Sequence, residues 1–176
     1  MNDPSEPPAD ASGHPADASG HPADASERPA DAAAAAPTYR QAVPEDAVSI
    51  AALMAPDVRQ RKLLRRTLEE LMELTRHGFV ALREDRMVGF CAVEIYSRKM
   101  AEIQCLVVDP SCRTQGIGRE LVRRSVERAR ELGVMEVMAI SSSEDFLRGC
   151  GFDYALPDQK RAMFCQLRSR YDSEEE

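Results

Sequence analysis

Between Leu106 and Arg119 the chain reads LVVDPSCRTQGIGR, a hydrophobic run that enters a basic turn with two glycines and then a helix-forming sequence. That order of residue types suits the capture of a phosphate or diphosphate. The first N–H groups of a helix have no partner within it and carry partial positive charge. Gly116 and Gly118 lack the Cβ that would hold a diphosphate away from such amides, and Arg113 and Arg119 can add charge-assisted contacts. Two familiar phosphate loops are excluded. No glycine-lysine-serine/threonine step marks a Walker A turn, and Leu121 stands where a dinucleotide fingerprint needs its third glycine. On the turn alone, a glycine-rich connection that binds nothing is an equal reading.

Other chemistry is thinly supplied. The five cysteines (Cys91, Cys105, Cys112, Cys150, Cys165) form no C-x-x-C pair, and an odd number at irregular spacing is no disulfide framework. His14 and His21 lie near the N-terminus, leaving His77 alone in the remainder, so no metal site is expected. Cys105 invites a covalent proposal, but no histidine in its motif could activate it, and a packed core thiol is the favoured reading.

The surrounding segments must position the turn. TYRQAV reads as a short strand, and PEDAVSIAALM as a helix with proline in its first turn. Thr67 is placed to cap LEELMELTRH, with Leu68, Leu71, Met72 and Thr75 on one face. GFVALRED and RMVGFCAVEIYS form a hairpin through a polar turn at Glu84 to Arg86, and MAEIQCLVVD is a further strand stopping at Pro110. After the turn, Ile117, Leu121, Val122, Val126, Ala129 and Leu132 make the apolar stripe of a long helix closed by Gly133. VMEVMAIS reads as a buried central strand, SEDFLRGCGF as a short helix, FDYA as a further short strand and AMFCQLRSR as the last strand. The fold class is a mixed α/β single domain whose strongest unit is a strand–loop–helix–strand crossover.

Charge divides the chain. The formal net charge is -7, yet residues 1–37 hold seven acids against Arg28 alone, while residues 38–173 hold 22 bases and 20 acids. The folded part is slightly basic and can host an anion. From Pro8 the chain repeats PADASGH with no large apolar residue, so residues 1–37 are expected to be a disordered tail; residues 171–176 form an acidic C-terminal tail. Trp is absent and aromatics make up 5%, which disfavours a base-stacking surface. The arginines of RRSVERAR alternate with glutamates as on a solvated helix face, so no nucleic-acid partner is expected. With neither an 18-residue apolar window nor a signal-like N-terminus, no membrane association is expected and a cytoplasmic location is. A homodimer is allowed by this reading without being required.

RTQGIG fits the R/Q-x-x-G-x-G/A signature of the GNAT acetyltransferase superfamily. With LVVDP before it, the amphipathic helix after it and F-x-x-x-x-GF at Phe146 to Phe152, the resemblance covers about residues 38–170. Finer features resemble the acetyltransferase domain of N-acetylglutamate synthases, in particular short single-domain ones: LLRRTLEEL from Leu63, AEIQCLVVDP from Ala101 and LPDQKR from Leu156.

The resemblance implies a GNAT-like fold with a splayed central sheet, and acetyl-CoA as co-substrate without a metal. It implies that the backbone of Leu106, Val107 and Val108 pairs with the pantetheine arm, and that the amides of Thr114, Gln115, Gly116, Ile117, Gly118 and Arg119, with Arg113, hold the diphosphate. Lys160 matches a basic position that reaches the CoA phosphates. Glu102 matches the proposed general base. Leu147 stands where many relatives carry a tyrosine that acts as acid; the synthases lack it and use a hydroxyl that corresponds to Ser141, whose other reading is a strand-end cap. Arg66 and Arg168 match arginines that clamp glutamate, with Arg170 a rival for the second. The implied activity is N-acetylation of the α-amine of glutamate or a related amino acid, a step of arginine biosynthesis. The 176 residues do not include the amino-acid-kinase domain of longer synthases, so arginine feedback through such a module is not expected. Two alternatives stay open: a peptide, lysine or polyamine acceptor, and a CoA-binding regulator without chemistry.

Overall fold

Five segments build one sheet in a computed structural model of the chain, which describes residues 35–154 and residue 165. The strands are β1 (Thr38–Gln41), β2 (Gly78–Arg83), β3 (Arg86–Ile95), β4 (Met100–Val108) and β5 (Glu136–Ala139), in spatial order β1-β2-β3-β4-β5. The first four pair antiparallel, and β4 and β5 pair parallel. The β2–β3 hairpin turns through Glu84 and Asp85, both at positive φ (50° and 62°), the backbone a two-residue turn needs to match strand twist.

Helices cover both faces. Val80, Phe90 and Ala92 pack with Ile50 and Met54 of α1 (Ala47–Arg59) and Leu71 of α2 (Leu68–Thr75). The next residues along, Ala81, Cys91 and Val93, pack on the other face against Ile117, Leu121, Val122 and Ala129 of α3 (Ile117–Glu131). Phe90, Ile50, Leu71, Ile117 and Leu121 are fully buried, each stabilising by about 1.5–3 kcal/mol. A short α4 (Glu144–Gly149) follows β5.

The alternation breaks once, in β4. Ala101 and Ile103 face α3, but Cys105 and Val107 face α1 and α2. Phe90 is paired with Val107 and Ala92 with Gln104, so Cys105 and Leu106 together oppose Cys91. This is a β-bulge; Cys105 takes φ 53°, and every residue beyond it is turned to the opposite face.

Local caps fix the approach to the sheet. Thr67 Oγ1 accepts from the Glu70 N–H at 3.2 Å, and Glu70 accepts from the Thr67 N–H at 2.7 Å, a reciprocal capping box that starts α2. Asp46 takes two hydrogen bonds from Arg40 (2.7 and 2.8 Å) and one from the Val43 N–H, binding β1 to the turn that opens α1.

Several expectations shift. The helix after β1 runs on to Arg59 through Pro56, because a proline in the last turn removes a single donor. On α2, Leu71 and Thr75 are buried while Leu68 and Met72 are exposed, so its inward face is rotated from the expected stripe. Leu132 is likewise exposed at the end of α3. The segment expected to be a buried central strand is the four-residue β5, partly exposed because among the described residues it pairs only with β4. FDYA forms no strand over its described residues: Gly151 turns the chain at φ 91°, and the Phe152 N–H closes back on the Leu147 carbonyl. The N-terminal repeat, LPDQKR, most of AMFCQLRSR and the acidic terminus lie outside the described residues.

On the outer face of α3, Glu120 accepts hydrogen bonds from Arg123 and Arg124, each at 2.8 Å. The Arg123 bond foremost holds the Glu120 carboxyl down to about 2. A carboxyl depressed in the folded state stabilises fully above its unfolded value and loses that contribution as pH falls. Glu120→Gln should therefore lower the urea midpoint at pH 7, and the gap from the parent protein should close between about pH 4.5 and about pH 2.

Candidate active site

The bulge and the parallel pair together create an opening. Pairing between β4 and β5 runs only from Met100–Glu136 to Ile103–Ala139. Beyond it, Gln104 to Val108 remain laddered to β3 but have no described partner on the β5 side. Among the described residues no strand joins that side of Leu106, Val107 and Val108, where the Val108 carbonyl is held by Arg113, and an edge of this kind can be joined by an extended ligand through main-chain hydrogen bonds.

The strand edge leads into the glycine turn. Asp109 caps a single 3-10 turn, accepting from the Ser111 N–H at 2.9 Å and its hydroxyl at 2.6 Å, and Arg86 reaches the same carboxylate at 2.7 Å. These partners, Ser111 first, keep the Asp109 carboxyl below its usual value. Thr114 (φ 64°) and Gly116 (φ 80°) then turn the backbone into α3, whose first N–H groups have no partner within the helix. Among the described residues, the N–H groups of Thr114 to Arg119 donate to no acceptor. Gly116 is required by its left-handed backbone. At Gly118 space is tight: a Cβ there would lie 3.3 Å from the Phe146 ring of α4, which would have to give by a few tenths of an ångström, and in ordinary contact with Val108 at 3.5 Å.

The side chains of the turn mostly face its own framework. Arg113 donates to the Val108 carbonyl at 3.1 Å and to Asp57 of α1 at 3.0 Å, so it braces the end of β4 rather than standing free for an anion. Gln115 accepts from Arg83 of β2 at 2.7 Å. The Arg119 guanidinium lies beside Gly149 of α4. The anion-binding capacity of the turn thus resides in its amides.

On the α1/α2 face, the first half of β4 carries a polar relay. Glu102, only 9% exposed, accepts from the Tyr96 hydroxyl at 2.5 Å. Gln104 donates to the Tyr96 oxygen at 3.3 Å and accepts from Arg66 Nη2 at 3.0 Å. Arg66 also pairs with Glu70 at 3.3 Å, while its buried Nε has no partner among the described residues. Glu102 and Arg66, singled out separately in the sequence, are therefore brought together. Tyr96 and Gln104 were not singled out. Strand alternation could have placed Gln104 beside Glu102, but nothing local marks Tyr96, which lies one residue past the end of β3.

Cys105 follows Gln104 onto this face through the bulge. Burial pushes its thiol up to about 11 despite the nearby Arg66 charge, and Cys91, fully buried, is pushed up to about 12. Both are core thiols. Ser141 lies two residues past β5, where its Oγ accepts from the Ser143 N–H at 3.0 Å, and its own hydrogen has no acceptor among the described residues. At the position after Phe146 stands Leu147, and the nearby Tyr154 is engaged with Glu144 at 2.7 Å. Lys160, Arg168 and Arg170 lie outside the described residues. Among the described residues no cluster of His, Cys, Asp or Glu is placed to hold a metal, and no helix is long and apolar enough to cross a membrane.

The model of the acetyltransferase (GNAT) family matches residues 45–152. An uncharacterized N-acetyltransferase of Chlorobaculum tepidum is 36% identical over 90 residues, 51% of this chain and 58% of that protein. An amino-acid acetyltransferase of Vibrio cholerae is 31% identical over 145 residues, 78% of this chain and 32% of that protein. The chain thus spans just over half of the first relative and about a third of the second. Among solved structures, Rv2747 from Mycobacterium tuberculosis, in complex with CoA and NLQ, superposes with a TM-score of 0.63 at 27% identity, covering 68% of this chain and 73% of that one. N-acetylglutamate synthase from Neisseria gonorrhoeae, complexed with coenzyme A and N-acetyl-glutamate, gives 0.64 at 28% identity over 72% of this chain and 30% of that one.

If Cys105 is a packed thiol and not a nucleophile, mass mapping after iodoacetamide at pH 7 should find exposed Cys165 alkylated first. Cys91 and Cys105 should react only once the chain is unfolded. Rapid alkylation of Cys105 in the folded protein would show an activated thiolate.

Proposed function

The chain belongs to the acetyltransferase (GNAT) family, and from that premise we propose that it transfers the acetyl group of acetyl-CoA to the α-amine of glutamate or a related acidic amino acid. The observation that carries the reading is the parting of β4 from β5 beside the amides of Thr114 to Arg119, which have no acceptor among the described residues. A strand edge for an amide-bearing arm and a patch of N–H donors for a diphosphate lie in series, in the order that CoA presents those groups. The CoA complexes of the two structural relatives support it.

Attack on the thioester needs a neutral amine, and Glu102 is the group assigned to take the ammonium proton. The nitrogen then bonds to the acetyl carbon, and the oxyanion that develops is stabilised by an N–H of Val107 or Val108. As the carbon–sulfur bond breaks, the CoA thiolate takes a proton from water or from Ser141, which regains one from solvent; the amide nitrogen loses its excess proton to solvent, and Glu102 releases there the proton it took from the ammonium. Arg66 would grip a carboxylate of the acceptor, exchanging its contact with Glu70 for the ligand; Arg168 or Arg170 would supply the second grip, and Lys160 a contact to the CoA phosphates. The acetyltransferase unit is assigned to residues 38–170. The amino-acid acetyltransferase and N-acetylglutamate synthase relatives support the acceptor class.

A second reading has its own observation. The groove of about 470 Å³ that Arg66 and Arg76 line is also lined by four carboxylates, Glu69, Glu70, Glu73 and Glu94, and that acidic balance suits a cationic acceptor such as a lysine or polyamine amine.

Thiol release from acetyl-CoA across a panel of amines separates the two. Glutamate or a near analogue should turn over fastest; fastest turnover of a polyamine would establish the second reading. Gly118→Glu should weaken acetyl-CoA binding by about 100-fold or more, since it brings a carboxylate to the diphosphate and crowds Phe146. Glu102→Gln should lower kcat by about 100-fold at neutral pH and leave acetyl-CoA affinity within about twofold. Unchanged cofactor affinity in the first variant, or unchanged kcat in the second, would contradict the assignment.

A further inference from the structure

Tyr96 has no part in the reaction described above, yet it makes the closest polar contact to the proposed base. Its hydroxyl donates to Glu102 Oε2 at 2.5 Å, and the same oxygen accepts from Gln104 Nε2 at 3.3 Å. The remaining Gln104 oxygen takes a hydrogen bond from Arg66 at 3.0 Å. Half of the Tyr96 residue is solvent-exposed, so its ring contributes little to the core, and the hydroxyl end is what is committed. Burial of that end, and then the bond to Glu102, push the phenol up to about 12, so it is a donor throughout the neutral and alkaline range.

Geometry makes this contact consequential. Glu102 sits in the last stretch of β4 that is paired on both sides, so its backbone is fixed, but its carboxylate can still rotate. A general base works only when its oxygen lies within hydrogen-bond reach of the proton it takes. A phenol donating to one carboxylate oxygen fixes the rotamer and leaves the other oxygen for the amine. The Gln104 amide carries the restraint on to Arg66, so base and carboxylate grip are held at a set separation.

Resting on the reading of Glu102 as base, we propose that Tyr96 is a positioning residue that holds the Glu102 carboxylate for proton removal from the acceptor amine and, through Gln104, sets its distance from Arg66. The groups facing this pair are Glu94 on β3, whose Oε2 lies 3.5 Å from the Tyr96 hydroxyl, Gln104 and Cys105 on β4, Met138 opposite on β5, and Arg66 and Glu70 at the start of α2.

The test uses the full chain and whichever amine the panel shows to be turned over. Tyr96→Phe should lower kcat by about tenfold at pH 7, with acetyl-CoA affinity within about twofold. With an α-amine acceptor, which at about pH 10 is already largely neutral in solution, no base is needed and the deficit should shrink to less than about twofold; with a lysine-type amine the same recovery is expected about one pH unit higher. Glu102→Gln should show the same alkaline recovery. A Tyr96→Phe deficit that is constant from pH 7 to the pH at which recovery is expected would mark a structural role, and unchanged kcat at pH 7 would remove any role; either overturns the proposal. A pH-independent deficit in Glu102→Gln would instead defeat the assignment of the base, so failure of the reading on which this rests is told apart from failure of the Tyr96 role.

Discussion

A strand can follow two neighbours only while all three keep one register. β4 does so from Met100 to Ile103 and then takes in one extra residue at Cys105, which keeps it on β3 while β5 departs. Much else in the site follows from that break. The free edge of Leu106 to Val108, the emergence of the glycine turn beyond it and the arrival of Cys105 beside Gln104 are consequences of the one bulge. The cost of a left-handed backbone at Cys105, about 1 kcal/mol, is offset by burial of its side chain and of Val107 against α1 and α2.

The turn divides its work between side chains and backbone. Arg113, Gln115 and Asp109 are tied to α1, β2 and β3, so they stiffen the frame. The donors left over are main-chain amides with fixed directions, which lose little entropy when they meet an anion. The relay beside Glu102 is arranged differently. There the fixed points are side chains linked through hydrogen bonds, from Glu102 through Tyr96 and Gln104 to Arg66, anchored at the capping box that starts α2. Rigidity comes from the backbone at one end of the opening and from a side-chain network at the other.

Legibility in the sequence follows the same division. The glycine turn could be read because its chemistry is local: Gly116 and Gly118 sit at the start of a helix whose apolar stripe is plain. The hairpin and the α2 cap were readable for the same reason. The bulge was not, since LVV and the residues before it look like uninterrupted strand, and strict alternation would have put Cys105 on the face of Ile103. Tyr96 escaped notice because its partner lies across a strand pair, and the engagement of Arg113 with Asp57 joins residues 56 positions apart. β5 read as central because Val134 to Ile140 is almost wholly apolar, whereas its burial depends on what lies along its second edge. Lys160 and Arg168 rest on resemblance alone.

The account stands on the turn amides and the β4 edge being the seat of CoA. Backbone amide resonances followed by NMR during titration with CoA test this most directly. Saturating shifts are expected at Leu106 to Val108 and Thr114 to Arg119, with the largest at Gly116 to Arg119, where the diphosphate would accept their hydrogen bonds. Saturable binding that leaves those amides unmoved and shifts another face of the sheet would contradict it.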